Sequence, residues 1–454
     1  MSSDGAKQQI LSASSWRLFY TMAPPSILGL LVLAVNYFVD AIFIGRFLGK
    51  TALAGVSFAF PLVFLPGTIG AMVGSGAGTY LSIALGANDL RSQRKLWGNV
   101  ISLLSIGAVG STLLFTWLTV PLVEMMGARG PLLPIAAQYY RVTALGAGTI
   151  TFASGLFSLI QGEGRVKEAS VLAVSSTIVN LALNALFLGI FHWDVRGAAL
   201  ATVLSLGLWS VLNVLHFTHG RPSFAIDTRY YGLDRDVTKS ILAYGFPQFL
   251  LRLLNFLQQL VVLRCLATFG STWDIAFYGA LSRLWQLYVL PMSGVGMAFQ
   301  PIVGMNFGAQ HFARVRKAFT LFSSAGGALV TLFWMPAFLF PGATLRFMLP
   351  SGTASAQDLF FYRLLLVLIP AYPFFFNAVN LLQTVGNSRA AAVLALGRSF
   401  LFFMPAAWIL TRSYQLAGVY YAIFLADLVV MSLAVALSMK QLSELGKPAM
   451  ASAA

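Results

Sequence analysis

An all-α integral membrane protein, with twelve transmembrane helices in two six-helix lobes related by pseudo-two-fold symmetry, is predicted by three features of the sequence. The chain is apolar: of 454 residues, 58% are hydrophobic and 9% charged, with a mean hydropathy of +0.79, whereas soluble domains are roughly 25% charged. Leu18 to Val39, Thr51 to Asn88, Gly98 to Val123 and Ala169 to Phe191 carry no charge at all, and about 20 apolar residues suffice for a helix to cross a bilayer. The chain also repeats itself at one constant offset. Soluble enzymes and DNA-binding proteins are thereby excluded.

Charge clusters and Pro/Gly punctuation separate the elements. The first helix starts near Arg17 and ends at Arg46, and the second runs from Thr51 to the polar turn at Gly86. The third starts near Leu96, the fourth at Leu132 after the Gly-Pro break, the fifth at Lys167 and the sixth at Arg196. Six more start near Thr238, Asp274, Lys317, Leu359, Arg389 and Gln415. A β-barrel is excluded because its ten-residue alternating segments are missing, and uninterrupted apolar runs require helices that satisfy their own backbone. The N-terminus is polar, and the first apolar stretch lacks a small-residue cleavage site, so it reads as a retained span.

Basic residues set the orientation. Lys7, Arg17, Arg91, Arg94, Lys95, Arg165, Lys167, Arg221, Arg229, Arg235, Lys239, Arg314, Arg316, Lys317, Arg389, Lys440 and Lys447 make 17 on the N-terminal side. Arg46, Lys50, Arg129, Arg196, Arg346 and Arg412 make 6 on the other. Both termini are expected in the cytoplasm. The net charge of +15 is then a matter of topology, and no nucleic-acid partner is expected. The single Cys265 excludes an internal disulfide and a Cys-rich metal site.

The repeat organises the chain. Gly86-Ala-Asn-Asp-Leu-Arg-Ser-Gln-Arg-Lys95 aligns with Gly308-Ala-Gln-His-Phe-Ala-Arg-Val-Arg-Lys317 at an offset of 222. The same offset carries Pro25 to Pro247, Gly74 to Gly296, Gln161 to Gln383 and Gly164 to Gly386. Two parallel halves of six helices follow, an even number that brings both halves in with one orientation. The expected layout is a cytoplasmic tail over 1–16, an N-lobe over 17–217, a cytoplasmic linker over 218–239, a C-lobe over 240–440 and a cytoplasmic tail over 441–454.

Only two of the 14 carboxylates, Asp40 and Asp427, fall well inside spans, where an acid is costly and marks an ion or proton pathway by default. Asp40 lies six residues before Arg46, about 9 Å along the first helix. Asn184 on the fifth helix is about 15 Å from Asp194, with Asn180 one turn away on the same face, and Thr202 on the sixth helix is about 9 Å from Arg196. Asp40, Asn180, Asn184 and Thr202 thus share one layer of oxygens, suited to a proton on Asp40 or a small hard cation such as Na+. A second reading makes Asp40 the structural partner of Arg141, and asparagines alone can be interhelical glue. Asp427 and Arg398 meet at one depth, which reads as a structural ion pair. Arg252 and Arg283 remain; they either bind backbone carbonyls freed by Pro247 and Pro291 or line a cationic, aromatic cavity. The cavity residues would be Gln248, Asn255, Gln286, Asn377 and Phe374 to Phe376, with Asn36 one turn before Asp40. A cavity of that kind would take neutral or anionic amphipaths.

No enzymatic constellation stands out. His192, His216, His219 and His311 sit at span ends or in loops without metal-ligand spacing. No Walker loop, Asp-rich diphosphate motif or Gly-x-Ser-x-Gly elbow is present. Gly74-Ser-Gly-Ala-Gly78 lies inside a span, where it permits close packing or bending. With no ATP-binding domain, uphill transport would draw on an ion gradient.

The motifs Val39-Asp-Ala-Ile-Phe-Ile-Gly-Arg46, Gly74-Ser-Gly-Ala-Gly78, Ala84-Leu-Gly-Ala-Asn88, Gln161-Gly-Glu-Gly164, Asn180-Leu-Ala-Leu-Asn184 and Pro301-Ile-Val-Gly-Met-Asn-Phe-Gly-Ala309 resemble the multidrug and toxic compound extrusion (MATE) transporters, specifically the bacterial DinF-like and MepA-like branch. The resemblance covers nearly the whole chain. It implies a V-shaped pair of six-helix lobes in the bacterial inner membrane, exchanging amphipathic small organic molecules for H+ or Na+ without a cofactor. The family's N-lobe cation site matches Asp40, Asn180 and Thr202. Many relatives carry Asp where this chain has Asn184, and the seventh and tenth helices lack the acids that some branches use. A secondary active exporter with Asp40 as the coupling carboxylate is expected, a monomer surrounded by membrane lipid. The alternative is a lipid or lipid-linked-precursor flippase of the same superfamily, although twelve spans and 13% aromatic residues fit a drug cavity better.

Overall fold

The computed structural model describes residues 3–220, 222–224, 226–227, 230, 232–349 and 354–446. Arg221, Arg229 and Lys447, counted for orientation above, lie outside the described residues. Among the described residues the regular structure is helical, and the spans are α1 (Ser15–Phe47), α2 (Gly49–Gly86), α3 (Leu90–Trp117), α4 (Leu132–Leu145 and Ala147–Gly162, bent by 56°), α5 (Val166–Ile190), α6 (Val195–Thr218), α7 (Arg235–Leu266), α8 (Trp273–Gly308), α9 (Phe312–Leu339), α10 (Ala356–Thr384), α11 (Ser388–Tyr414) and α12 (Leu416–Glu444). Each is long and apolar enough to cross a membrane if the bent pair counts as one span. Short helices at Ser3–Ser12, Thr119–Met125 and Pro341–Met348 stand outside this set.

Helix starts follow local chemistry. Asp89 caps α3, accepting from the backbone of Arg91 and Ser92 at 3.1 Å, so the helix begins at Leu90 and not at Leu96. Asp194 caps α6 through Arg196. Ser355 and Asp358 form a reciprocal capping box that starts α10 at Ala356, three residues before Leu359, which puts Asp358 in its first turn. Asn88 and Gln310 both take left-handed backbone, with φ of 56° and 60°, as do Gly164 and Gly386 at 81° and 84°. Each pair is separated by the offset of 222, so the repeat in sequence is also a repeat of turn geometry.

The chain divides into two compact units, one of 1–13 and 24–249 and one of 14–23 and 250–454. Two of the three divisions fall inside α1 and α7, beside Pro24, Pro25 and Pro247, where each proline removes a backbone donor and weakens the helix. In the first unit α2 packs on α4 so closely that a Cβ on Gly74 would stand 2.0 Å from the Gly155 carbonyl oxygen. A Cβ on Gly76 would stand 2.0 Å from the Ile241 oxygen at the start of α7. The glycine-rich run is therefore a contact surface on two sides. Its start of α7 is also pinned by polar groups: Lys95 donates to Asp234 at 2.6 Å, and Asn99 accepts from the Asp234 backbone and the Thr238 hydroxyl. Glu163, fully buried, bonds His216 at 3.0 Å and the backbone N–H of Ser223 at 3.0 Å. In the second unit Val262, Leu266, Phe403, Ala407, Val419, Ala422 and Ala426 join α7, α11 and α12 in one apolar cluster. Phe299, Phe319 and Phe322 pack together between α8 and α9.

Candidate functional site

The first unit contains a branched set of hydrogen bonds in which Asn184 is the common donor, to Asp40 on one side and to Asn180 and the α6 end on the other. The Ser205 hydroxyl on α6 donates to the Thr202 carbonyl at 2.9 Å and accepts from the Asn180 amide at 3.2 Å. Asn180 accepts from Asn184 at 3.1 Å, and Asn184 donates to Asp40 Oδ1 at 2.7 Å. Both asparagines are buried and Asp40 is half-buried. Because Asn184 spends its amide hydrogens on Asn180 and Asp40, its Oδ1 is a buried acceptor with no partner. Such an orphan in a native interior calls for a donor or a cation. The π-helical segment Ala185–Ile190 follows Asn184 directly, and widened turns of this kind recur at functional sites.

Asp40, Asn180 and Asn184 are brought together, as the helix rises required. Thr202 enters by its backbone, because its hydroxyl bonds the Ala198 carbonyl one turn back at 3.1 Å. The α6 side chain that meets Asn180 is Ser205, itself braced by Ser176, which donates to the Ser205 carbonyl at 2.8 Å. Asn36 lies one turn before Asp40 on the same face of α1, half-buried. Arg141 is exposed and forms no ion pair with Asp40 among the described residues.

A second polar site occupies the other unit. There Asn255, Gln258 and Gln259 of α7, Tyr278, Ser282, Trp285 and Gln286 of α8, and Arg398 and Asp427 contribute to the wall of a cavity of about 290 Å³. Arg398 Nε donates to Asp427 Oδ1 at 2.9 Å and to the Tyr372 hydroxyl at 3.2 Å, and its Nη1 donates to Asn255 at 2.9 Å. The Tyr372 hydroxyl donates to Asp427 Oδ2 at 2.5 Å. The guanidinium carbon sits 5.3 Å from the Trp285 ring centroid and 5.2 Å from that of Tyr372, within cation–π range. Arg398 again stands on a π-helical segment, Gly397–Leu401.

The expected cavity residues divide. Asn255 and Gln286 line it, and the Arg398–Asp427 pair, expected to be purely structural, is part of its wall. Arg283 is exposed and does not line the cavity. Tyr278, Leu281, Ser282, Trp285 and Gln286 define the cavity face of α8, and residue 283 lies about 60° beyond its edge. Arg252, one turn before Asn255, is likewise exposed and outside the lining. Phe374 packs edge-on against Phe319 at 5.2 Å. Asn377 is buried and donates to Ser323 at 3.2 Å. Both therefore belong to the α9–α10 contact. Ser176, Ser205, Tyr372 and Trp285 were missed, although the offset held a signal: 222 carries Asn36 to Gln258, Ser176 to Arg398 and Ser205 to Asp427. Each unit thus places polar groups on the same three helices of the repeat. Among the described residues no group of three or more His, Cys, Asp or Glu side chains could hold a metal ion.

Comparison with known proteins agrees with this organisation. The MatE family model matches residues 25–186 and 247–409, two copies whose starts, Pro25 and Pro247, are the prolines aligned by the repeat. The multidrug export protein MepA of Staphylococcus haemolyticus is 23% identical over 409 residues, covering 89% of each chain. The probable multidrug resistance protein YoeA of Bacillus subtilis is 24% identical over 333 residues, covering 71% of this chain and 72% of the relative. A solved structure of a MOP superfamily transporter from Pyrococcus furiosus superposes with a TM-score of 0.88 at 22% identity, covering 99% of this chain and 100% of that one. The double match spans well over half of the sequence, and the chain belongs to the MatE family, the multidrug and toxic compound extrusion transporters.

Proposed function

We propose that this transporter exports small amphipathic organic molecules in exchange for protons, by alternating access, with Asp40 as the coupling carboxylate. The names of the MepA and YoeA relatives, multidrug export and multidrug resistance, support the substrate class. The observation that carries the coupling is the Asp40–Asn184 pair. Asn184 donates to one carboxylate oxygen while its own Oδ1 is buried without a partner. A carboxylic acid can donate its hydrogen back to an amide oxygen, so protonation of Asp40 supplies the donor that Asn184 lacks. No cationic side chain forms an ion pair with Asp40 among the described residues, so its charge in an apolar span is neutralised by a mobile ion, and a proton is the one that also supplies Asn184 with a donor.

The chain works in the bacterial inner membrane as a monomer in lipid, with both ends in the cytoplasm, a placement supported by the 17 to 6 bias of basic residues. Alternating access bends α1 and α7 at Pro24, Pro25 and Pro247, where two of the three unit divisions fall. The test is reconstitution in liposomes under imposed pH or Na+ gradients, with a fluorescent organic cation, an organic anion and a labelled lipid as substrates. Efflux of an organic compound driven by the pH gradient alone is the expected result. Efflux that needs Na+ and ignores pH would overturn the coupling, and movement of the lipid alone would identify a flippase.

A further inference from the structure

The cavity of the second unit has an uneven distribution of charge. Asp427 is 6% exposed, and both its oxygens are engaged, one by Arg398 and the other by Tyr372. Arg398 uses Nε and one hydrogen of Nη1 within the protein, and among the described residues Nη2 has no acceptor. Both residues reach the cavity wall, but the oxygens of the anion are already engaged while the outer edge of the guanidinium keeps donors to offer. The amides reinforce this bias. Asn255 gives its oxygen to Arg398 and Ser399, and Gln258 gives its oxygen to Ser399, which leaves the two NH2 groups as donors. A wall that offers a guanidinium edge and two amide donors, with its one carboxylate already satisfied, is complementary to an anion.

From this geometry we infer that the second unit carries a binding site for a small aromatic carboxylate. Its carboxylate takes the free edge of Arg398, whose planar fork matches two oxygens side by side, and its ring lies beside Trp285 and Tyr278. The volume of about 290 Å³ limits the ligand to a compact molecule, at the small end of organic-ligand pockets. Asp427 is a positioning residue that holds the guanidinium, and the carboxylate ligand adds a negative charge to a pair that is neutral without it. The site names one substrate class for the exporter proposed above and rests on that reading only for its transport role, since binding is measured apart from transport.

The probes are 2-naphthoate, the neutral 2-naphthamide of nearly the same shape, and 2-naphthylmethylammonium. Binding to the full-length protein in nanodiscs is read by equilibrium dialysis against empty nanodiscs. Naphthoate should bind at least about tenfold more tightly than the amide, and the ammonium more weakly than either. The double variant Arg398→Gln/Asp427→Asn removes both charges together and should abolish the preference for naphthoate. Asn255→Leu keeps the ion pair, removes one donor and should weaken naphthoate binding severalfold, which covers the case of a double variant that does not fold. Equal binding of naphthoate and amide, preference for the ammonium, or undiminished naphthoate binding in Asn255→Leu would overturn the site. The same binding in Asp40→Asn, where coupling is removed, separates a failure of this site from a failure of the exporter reading.

Discussion

Asp40 and Asp427 are both carboxylates inside spans, and their surroundings give them different work. One carboxylate oxygen of Asp40 accepts from Asn184 and the group has no cationic partner among the described residues, whereas Asp427 is held by Arg398 and Tyr372. Asp40→Asn keeps the size and places two amides together, a permanent analogue of the protonated acid. Gradient-driven efflux in liposomes should fall to the background of empty vesicles while the protein elutes as a folded species in gel filtration, and wild-type efflux would refute the role. Asp427→Ala leaves the largely buried Arg398 without its counter-ion and should destabilise the protein by about 3–5 kcal/mol. The Arg398→Gln/Asp427→Asn pair should cost far less than the two single changes added together. Denaturation midpoints in detergent, combined in a double-mutant cycle, measure that coupling.

Helix contacts explain the glycine-rich run and the attachment of the linker. Gly74→Ala puts a methyl 2.0 Å from the Gly155 oxygen, so α2 and α4 must separate, at about 1–3 kcal/mol for overpacking of this kind. Gly110 on α3 has nothing within 4 Å of a built Cβ, and Gly110→Ala should be neutral or slightly stabilising. Thermal unfolding of the two variants side by side decides whether α2 is glycine-rich for packing. At the start of α7, the hydrogen bond from Lys95 to Asp234 holds the Asp234 carboxyl below its ordinary value. A depressed carboxyl contributes stability above its unfolded value, about 3.9, and loses it as pH falls through the lower folded value. Amide exchange over 232–239 should therefore accelerate below about pH 4, more than in the middle of α3. A flat pH response there would show that the packing of Ile241 against Gly76 alone secures the segment.

For the molecule as a whole, the sidedness of the chain can be tested through its single cysteine. Cys265 is replaced with Ser, and one cysteine is introduced at Arg94 or at Arg196. A membrane-impermeant maleimide added to intact cells should label the Arg196 position and spare the Arg94 position. The reverse pattern would invert the topology and with it the direction of export.

How much of this was readable in the amino-acid order depends on the range of the interaction involved. Twelve spans, their approximate starts and the twofold repeat follow from local composition, because a helix in lipid must be apolar over about 20 residues and because repeated turns need repeated residues, as Asn88 and Gln310 share left-handed backbone. Axial depth was readable too, since a constant rise per residue brings Asp40 to Asn184 and Arg398 to Asp427. Rotation about the helix axis was not. Thr202 and Ser205 are one turn apart on α6, and only packing against α5 decided that the Ser205 hydroxyl meets Asn180 while Thr202 bonds its own helix. In the same way Arg283 is a candidate for a cavity wall by depth and Arg398 only a structural partner of Asp427, but the cavity-facing side of α8 excludes the first and the π-helical turn of α11 presents the second. The sequence by itself determined which polar groups lie at a common depth in the spans. Only the tertiary structure decided which of them touch, because facing angles are set by close packing of large side chains and not by the spacing of residues along a helix.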